Sequence, residues 1–198
     1  MTRALSFIGS VAIPLPLVNI DTDQILPKQF LTTMARDGLG AGLFHDLRFD
    51  DRGEPRADFA MNQPAYTGAE ILIAGANFGC GSSREHAAWA LADFGIKCVI
   101  APSFGEIFRS NCLNNAILPA ALSKQEVATL LSQVDSGVFS IDVAAQSVVG
   151  PSGEAFSFAL SPNEKRKLLN GFDDIALTLR YAAEIGAFEN KRGGMRPP

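Results

Sequence analysis

Cysteine, histidine and tryptophan are scarce in this chain of 198 residues, which has three, two and one of them. The cysteines Cys80, Cys98 and Cys112 are separated by 18 and 14 residues. These gaps match no common zinc or iron–sulfur spacing, and an odd number does not form a complete disulfide framework. We therefore expect reduced thiols that serve partly as small core residues. Cys80 is the exception, because it lies in a glycine-rich loop where it could be accessible.

Long apolar runs and long basic runs are also missing. No stretch has the length of a membrane span, and the apolar segment at residues 4–18 is interrupted by Pro14 and Pro16 without a clean signal-peptide cleavage site. A net charge of −4 argues against a nucleic-acid surface, which usually needs a basic face. With 47% hydrophobic and 19% charged residues, the sequence is typical of a globular protein, expected in the cytoplasm.

Apolar and amphipathic segments alternate from residue 70 onward. Residues 71–74 and 96–101 are typical of buried strands, and 83–94, 104–114, 123–134 and 173–188 of helices. Two strands are predicted at 139–149 and 155–160, and capping boxes begin at Ser123 and Ser161. Gly95 is predicted to end the helix at 83–94, and Gly171 to end a short helix that starts at Ser161. This order indicates an α/β fold with a mixed sheet. We expect one domain over residues 1–190, with an irregular region at about 28–63 and a flexible tail at 191–198.

The most informative motif is Gly79-Cys80-Gly81-Ser82-Ser83-Arg84-Glu85-His86, between a predicted strand and a predicted helix. Ser82 and Glu85 have the spacing of a capping box, which predicts that Ser82 caps the helix. The second serine and a cation in the first helical turn are more than a cap requires. A helix N-terminus with bare glycine backbone suits a small organic anion. A cap and an anion site both remain open from these residues alone.

Other catalytic motifs fit this loop less well. It lacks the lysine of a Walker A sequence, the third glycine of a dinucleotide fingerprint and the G-x-S-x-G of a hydrolase elbow. A Ser82–His86 pair at helical spacing leaves a serine hydrolase open, and a non-catalytic anion-binding module is a further alternative.

Two more segments contain candidate site residues. Asp21 and Asp23, followed by Lys28, could bind a cation or form Asx turns. Arg109 and Asn111 follow a predicted strand and could line a site, although packing explains them as well.

Three segments in this order resemble the small subunits of 3-isopropylmalate dehydratase, in the aconitase superfamily. They are DTDQILPKQFL at 21–31, GANFGCGSSREHAAWAL at 75–91 and VIAPSFGEIFRSNCLNNAILP at 99–119. The resemblance implies a swivelling β/β/α domain like the C-terminal domain of aconitase. It implies no cofactor in this chain and a large-subunit partner that carries a [4Fe–4S] cluster. The implied reaction interconverts 2-isopropylmalate and 3-isopropylmalate through isopropylmaleate, in leucine biosynthesis. A related subunit acting on citraconate, methylmalate or homoaconitate is the alternative.

The resemblance also implies roles for individual residues. Ser82 matches the catalytic base. The substrate-binding residues would be Gly81, Ser83, Arg84, Asp23, Lys28 and Arg36. Within the irregular region, the candidates to contact an isopropyl group are Leu31, Met34, Leu39, Leu43 and Phe44, for which packing is the alternative. The resemblance implies no catalytic role for His86.

Overall fold

The computed structural model describes residues 4–31, 37–171, 178 and 181–191. Its centre is a four-stranded parallel sheet with the order β2-β3-β4-β5. The strands are β2 (Ala12–Leu15), β3 (Ile71–Ala74), β4 (Cys98–Ala101) and β5 (Leu118–Ala121). Pro14 and Pro119 lie in β2 and β5, the two edge strands, where a missing backbone N–H leaves no central ladder bond unmade.

A second, antiparallel sheet has the order β1-β6-β7-β8. Its strands are β1 (Phe7–Ser10), β6 (Phe139–Asp142), β7 (Ser147–Val149) and β8 (Ala155–Ser157). The prediction of one strand over 139–149 was wrong, because this stretch is a hairpin of β6 and β7. Its turn is stabilised by the side chain of Asp142, which accepts from the N–H of Ala145 at 2.8 Å, and by Gln146 in the left-handed region.

Seven α-helices are described, together with several short 3-10 turns. They are α1 (Thr22–Ile25), α2 (His45–Arg48), α3 (His86–Phe94), α4 (Glu106–Asn114), α5 (Lys124–Leu131), α6 (Pro162–Asn170) and α7 (Ala182–Lys191). The capping boxes predicted at Ser123 and Ser161 are confirmed, as are the helix ends at Gly95 and Gly171, which both have positive φ.

Alternate residues of the parallel strands face two hydrophobic clusters. In β3, Leu72 and Ala74 belong to one cluster, and Ile71 and Ile73 belong to the other. The second cluster also contains residues of β1, β6 and β7, so it lies between the two sheets. A strand that is buried on both faces explains its continuous apolar sequence. The α/β fold predicted from the alternating pattern is confirmed, but the strands that were expected in one mixed sheet form one parallel and one antiparallel sheet.

The described part of the irregular region contains several short helical turns, and the turn at Leu39–Gly42 packs against α3. Gly40 donates its N–H to the carboxylate of Asp93 at 2.7 Å, and a side chain at position 40 would collide with the backbone of Phe94. Leu39, Leu43 and Phe44 are almost completely buried. These three side chains form part of the core, which is the packing alternative given for them.

The remaining predictions for this region and for the chain end have separate outcomes. Leu31 is partly buried against the core, and Met34 lies outside the described residues, like the tail beyond Lys191. Cys98 and Cys112 are fully buried, as expected for small core residues. No helix in the described part of the chain is both long enough and apolar enough to cross a membrane.

Candidate active site

Three loops leave the carboxyl ends of β2, β3 and β4 and continue side by side beyond the sheet. Residue 21 forms a parallel bridge with residue 80, and residue 78 forms one with residue 104. Gly79 donates its N–H to the carbonyl of Ile20 at 2.7 Å, and Thr22 donates its N–H to the carbonyl of Cys80 at 2.9 Å. Segments about sixty residues apart in sequence are therefore adjacent at this edge, where α/β sheets commonly bind ligands.

The glycine loop needs glycine at two positions. Gly79 and Gly81 have φ angles of 72° and 97°, in the left-handed region. A side chain at Gly79 would also collide with the ring of Phe108. The close approach of the loop to α4 and its reversal of direction together bring Ser82 over α1.

Ser82 is not a helix cap. Helix α3 begins at His86 and has no side-chain capping bond, so the predicted capping box of Ser82 and Glu85 was wrong. The Glu85 side chain instead accepts from Asn115 at 2.7 Å. Ser82 is engaged across the chain with Thr22, and this tertiary contact replaces the local bond that the spacing favoured. Arg84 likewise precedes the helix rather than lying in its first turn.

The hydroxyl of Ser82 has two close polar neighbours. Arg84 donates from Nε to Ser82 Oγ at 2.9 Å, and Thr22 Oγ1 lies 2.8 Å from the same oxygen. The backbone N–H of Ser82 donates to Thr22 Oγ1 at 3.1 Å. A serine oxygen that accepts from a guanidinium is in an environment that favours its deprotonated form.

Asp23 connects the two candidate cations. Its carboxylate accepts from the Nη2 of Arg84, and its other oxygen lies 3.8 Å from Nζ of Lys28. Arg84 uses two of the five N–H donors of a guanidinium for Ser82 and Asp23, so the others are available for a substrate carboxylate. Lys28 is 74% exposed and projects at the edge of the site.

The structure thus brings together most of the predicted site residues. Gly81 and Ser83 are exposed beside Ser82, whereas Arg36 lies outside the described residues. A cation site or a turn was expected at Asp21 and Asp23, and Asp21 has a local structural role. Its side chain caps α1 by accepting from the backbone N–H of Gln24 at 2.7 Å.

Thr22 is the main site residue that sequence reasoning missed. Its position between the candidates Asp21 and Asp23 could have indicated that it belongs to the site. Its partner Ser82 is sixty residues away in the sequence, so the contact itself could not be predicted. Asn19 and Asn77 were missed too. Asn77 donates from Nδ2 to Oδ1 of Asn19 at 2.9 Å, and both residues have positive φ. Their contact joins the loops that follow β2 and β3.

Comparisons with known proteins agree with this arrangement. The family model of the aconitase C-terminal domain matches residues 8–125, which include all three loops. A second family model, of the C-terminal domain of 3-isopropylmalate dehydratase small subunits, matches residues 174–197. The 3-isopropylmalate dehydratase small subunit of Jannaschia sp. (strain CCS1) is 53% identical over 190 residues and covers 94% of each chain.

The chain belongs to the 3-isopropylmalate dehydratase small-subunit family. The small subunit of Phenylobacterium zucineum is 51% identical over 197 residues, covering 98% of this chain and 97% of that one. A crystal structure of 3-isopropylmalate dehydratase from Methanocaldococcus jannaschii superimposes with a TM-score of 0.65 at 25% identity, covering 94% of this chain and 99% of the other. The resemblance to this family predicted from the three sequence segments is confirmed.

Arg109 is a residue of α4, and its side chain contacts α6. It pairs with Glu164, whose other carboxylate oxygen accepts from the N–H of Ser161 at 2.7 Å in the capping box. Burial raises the pKa of Glu164, but the hydrogen bonds from Arg109 and Ser161 outweigh it and hold the pKa below its ordinary value. Arg109 therefore pairs with a carboxylate of α6, which agrees with the packing alternative given for it.

His86 offers no support for a serine hydrolase. Its ring lies 4.6 Å from that of Trp89, and Nδ1 has no hydrogen-bond partner among the described residues. Because α3 begins at His86, Ser82 is not on the same helical face. The partners of the Ser82 hydroxyl are Thr22 and Arg84 instead.

Metal binding by a protein needs several donor side chains close together. Residues 4–31, 37–171, 178 and 181–191 contain no group of three or more His, Cys, Asp and Glu side chains placed to hold a metal ion. Burial raises the pKa of Cys98 and Cys112 far above the usual range of a thiol, which opposes the thiolate form that a cluster needs. The described residues therefore do not fit an iron–sulfur cluster.

Proposed function

We propose that this chain is the small subunit of a 3-isopropylmalate dehydratase. With a large subunit, it would interconvert 2-isopropylmalate and 3-isopropylmalate by dehydration and rehydration through isopropylmaleate, in leucine biosynthesis. Membership of the small-subunit family supports the reaction and the need for a partner. The observation that carries the residue assignment is the Ser82 hydroxyl, which is held by Arg84 and Thr22 at the carboxyl edge of the sheet.

Ser82 is proposed as the base that removes a proton from the carbon next to a carboxylate. A free serine hydroxyl is a poor base, so its deprotonated form needs stabilisation. The Nε of Arg84 provides a positively charged donor directly to Ser82 Oγ. Fixed donors of this kind contribute strongly where charge develops in a site from which water is excluded. In the reverse reaction, Ser82 would return the proton to the same carbon.

Arg84 is proposed to bind a substrate carboxylate with the donors that Ser82 and Asp23 do not use. A guanidinium can form two parallel hydrogen bonds with a carboxylate, which would orient the substrate carbon toward Ser82. Asp23 would hold the guanidinium in place rather than contact an anionic substrate, because two carboxylates repel each other. Lys28 would attract the substrate electrostatically from the rim. Arg36, which lies outside the described residues, is proposed to supply a second contact to a substrate carboxylate.

The exposed backbone of Gly81 and the hydroxyl of Ser83 are proposed to contact the same substrate. Both lie on the open side of the loop, next to Ser82. Gly81 presents no side chain to an approaching ligand, and a serine hydroxyl can donate to a carboxylate or hydroxyl oxygen.

The partner is proposed to carry a [4Fe–4S] cluster, as the resemblance to the aconitase superfamily implies. Departure of the substrate hydroxyl is assigned to that subunit, and no residue of this chain is given a role in it. We also propose that residues 1–190 move as a single swivelling domain and close the site against the partner.

Reconstitution tests this proposal. The chain is co-expressed with the large dehydratase subunit of the same organism and purified without oxygen, and the unsaturated intermediate is followed by its ultraviolet absorbance. We expect turnover of 3-isopropylmalate by the complex and none by either subunit alone. Preferred turnover of citraconate, methylmalate or homoaconitate would transfer the assignment to that acid. Turnover by this chain alone, without iron, would contradict the proposal.

A further inference from the structure

The hydroxyl of Thr22 is buried against the oxygen proposed as the base. Thr22 has a relative exposure of 4%, and its Oγ1 lies 2.8 Å from Ser82 Oγ. The backbone of Thr22 is fixed by two hydrogen bonds. Its N–H donates to the carbonyl of Cys80, and its carbonyl accepts from the N–H of Leu26. The residues that follow it, Ile25 and Leu26, are buried in the core. The hydroxyl is therefore held in place by elements that do not depend on substrate.

The direction of the surrounding hydrogen bonds can be worked out from the donors. The N–H of Ser82 can only donate, so Thr22 Oγ1 accepts from it at 3.1 Å. The guanidinium of Arg84 has no acceptor, so Ser82 Oγ accepts from Nε at 2.9 Å. In the contact between the two hydroxyls, by contrast, either Thr22 or Ser82 can be the donor.

The charge state of Ser82 decides that direction. When Ser82 has lost its proton, Thr22 is the only hydroxyl of the pair that can still donate. When Ser82 is protonated and about to return the proton to carbon, its own hydrogen must point at the substrate, so Thr22 must donate again. Both catalytically competent states thus require the same orientation of the Thr22 hydrogen. The N–H of Ser82 favours this orientation of the Thr22 hydrogen. It donates to one lone pair of Thr22 Oγ1, which leaves fewer lone pairs to accept a hydrogen from Ser82.

We propose that Thr22 is a positioning residue for Ser82, which stabilises the deprotonated base and directs the Ser82 hydrogen toward the substrate. This inference rests on the proposed function, in which Ser82 is the base. Thr22 keeps its own hydrogen throughout: the proton moves from the substrate carbon to Ser82 Oγ, and the electron pair of the broken C–H bond remains with the substrate. Its effect is on the chemical step, because its buried side chain contacts Ser82 rather than an approaching anion.

The test compares Thr22→Val with Thr22→Ser in the reconstituted complex. Valine keeps the branched shape but removes the hydroxyl, whereas serine keeps the hydroxyl. We expect Thr22→Val to lower kcat about 10- to 100-fold, the effect of losing one hydrogen bond to a charged group. KM should change by less than about threefold. Such a change is smaller than the tenfold change in affinity that corresponds to about 1.4 kcal/mol. Thr22→Ser should recover most of the lost kcat.

The pH profile gives a readout that packing alone would not change. Loss of a donor to the deprotonated form raises the pKa of the base. The rise of kcat/KM with pH should therefore shift to higher pH in Thr22→Val and stay in place in Thr22→Ser. Thr129→Val is the matched control, because it removes an exposed hydroxyl that donates to the carbonyl of Gln125 at 3.0 Å. Its kinetics should equal those of the parent complex.

Equal losses in Thr22→Val and Thr22→Ser, or an unshifted pH profile, would overturn the proposal. If Thr22→Val does not fold, Thr22→Ala and Thr22→Ser replace the comparison, and equal kcat values in these two overturn it likewise. A Ser82→Ala complex is measured in parallel. Full activity in that variant refutes the role of Ser82 itself, whereas an inactive Ser82→Ala together with a normal Thr22→Val refutes only the role of Thr22.

Discussion

Arg84 donates from Nε to the hydroxyl oxygen of Ser82, only two residues away, over 2.9 Å. The same guanidinium binds the carboxylate of Asp23, which belongs to the loop after a different strand. Arg84 therefore fixes the geometry between the proposed base and the proposed carboxylate site. One guanidinium contacts Ser82 and Asp23 and is proposed to bind a substrate carboxylate, so its shape matters as much as its charge.

Arg84→Lys tests this dependence on shape. An ammonium group cannot contact Ser82, Asp23 and a substrate carboxylate with the geometry of a planar fork. We expect kcat/KM of the reconstituted complex to fall at least about 100-fold, as for the loss of a fixed donor to a developing anion. Both kcat and KM should worsen. Steady-state kinetics with either a change in KM alone or parent values would contradict the dual role.

Lys28→Ala tests the electrostatic contribution of the rim. Lys28 is mostly exposed and its nearest carboxylate is 3.8 Å away, so its contribution is screened by water and salt. We expect KM to rise about two- to fivefold, corresponding to an exposed charge worth at most about 1 kcal/mol. Turnover should change little, and the rise in KM should shrink at high ionic strength. The control is Lys165→Ala, whose Nζ donates to the carbonyl of Ala144 instead; a rise in KM independent of salt would count against this role.

The contact between Asn19 and Asn77 predicts a coupling between two loops. Asn19→Asp keeps an acceptor for Nδ2 of Asn77, and in Asn77→Asp the amide of Asn19 can rotate to donate. The double variant has two carboxylates and no donor. Because Asn and Asp both tolerate positive φ, neither single change strains the backbone.

A double-mutant cycle measures this coupling. At pH 7 we expect the double variant to lose about 0.5–1 kcal/mol more folding free energy than the two single variants together, as for residues in contact. The kcat of its complex should also fall by more than the product of the single effects. Additive free energies would show that the contact does not hold the loops together.

Glu164→Gln tests the pH dependence of stability. Glutamine preserves the capping box but removes the charge that pairs with Arg109. The pKa of Glu164 is held below its ordinary value of 4.5, so its stabilisation is present above that pH. It is lost as the pH falls through the lowered pKa of the folded state. We expect thermal unfolding of the variant about 1–4 °C below the parent at pH 7, from about 0.5–1 kcal/mol. The difference should disappear as the pH falls below the lowered pKa of the folded state, and a difference that does not depend on pH would exclude this pair as the cause.

Features encoded in neighbouring residues could be predicted from the sequence. The caps at Ser123 and Ser161 and the helix ends at Gly95 and Gly171 depend on residues within one turn, and the apolar pattern of β3 depends on burial of both its faces. The glycine loop was also found, because its residue types are unusual between a strand and a helix. Local chemistry was sufficient in these places.

Features that depend on distant contacts could not be predicted. Ser82 has the local spacing of a cap, yet its bonds are with Thr22, and this pairing exists only after the loops of β2 and β3 become neighbours. Leu43 and Phe44 were candidates to contact a ligand, with packing as the alternative, and only the folded chain shows that they pack in the core. In each case tertiary contact outweighed the local pattern.

The role of Ser82 as the base is tested most directly by the kcat of Ser82→Ala in the reconstituted complex. Ser83→Ala is measured for comparison. Both changes remove one serine hydroxyl from the same loop, but only Ser82 is bonded to Arg84 and Thr22. The account predicts a loss of about 10²- to 10⁴-fold in kcat for Ser82→Ala, the contribution of a general base, with substrate affinity almost unchanged. Ser83→Ala should mainly raise KM. A Ser82→Ala complex with a kcat close to that of the parent would contradict the account.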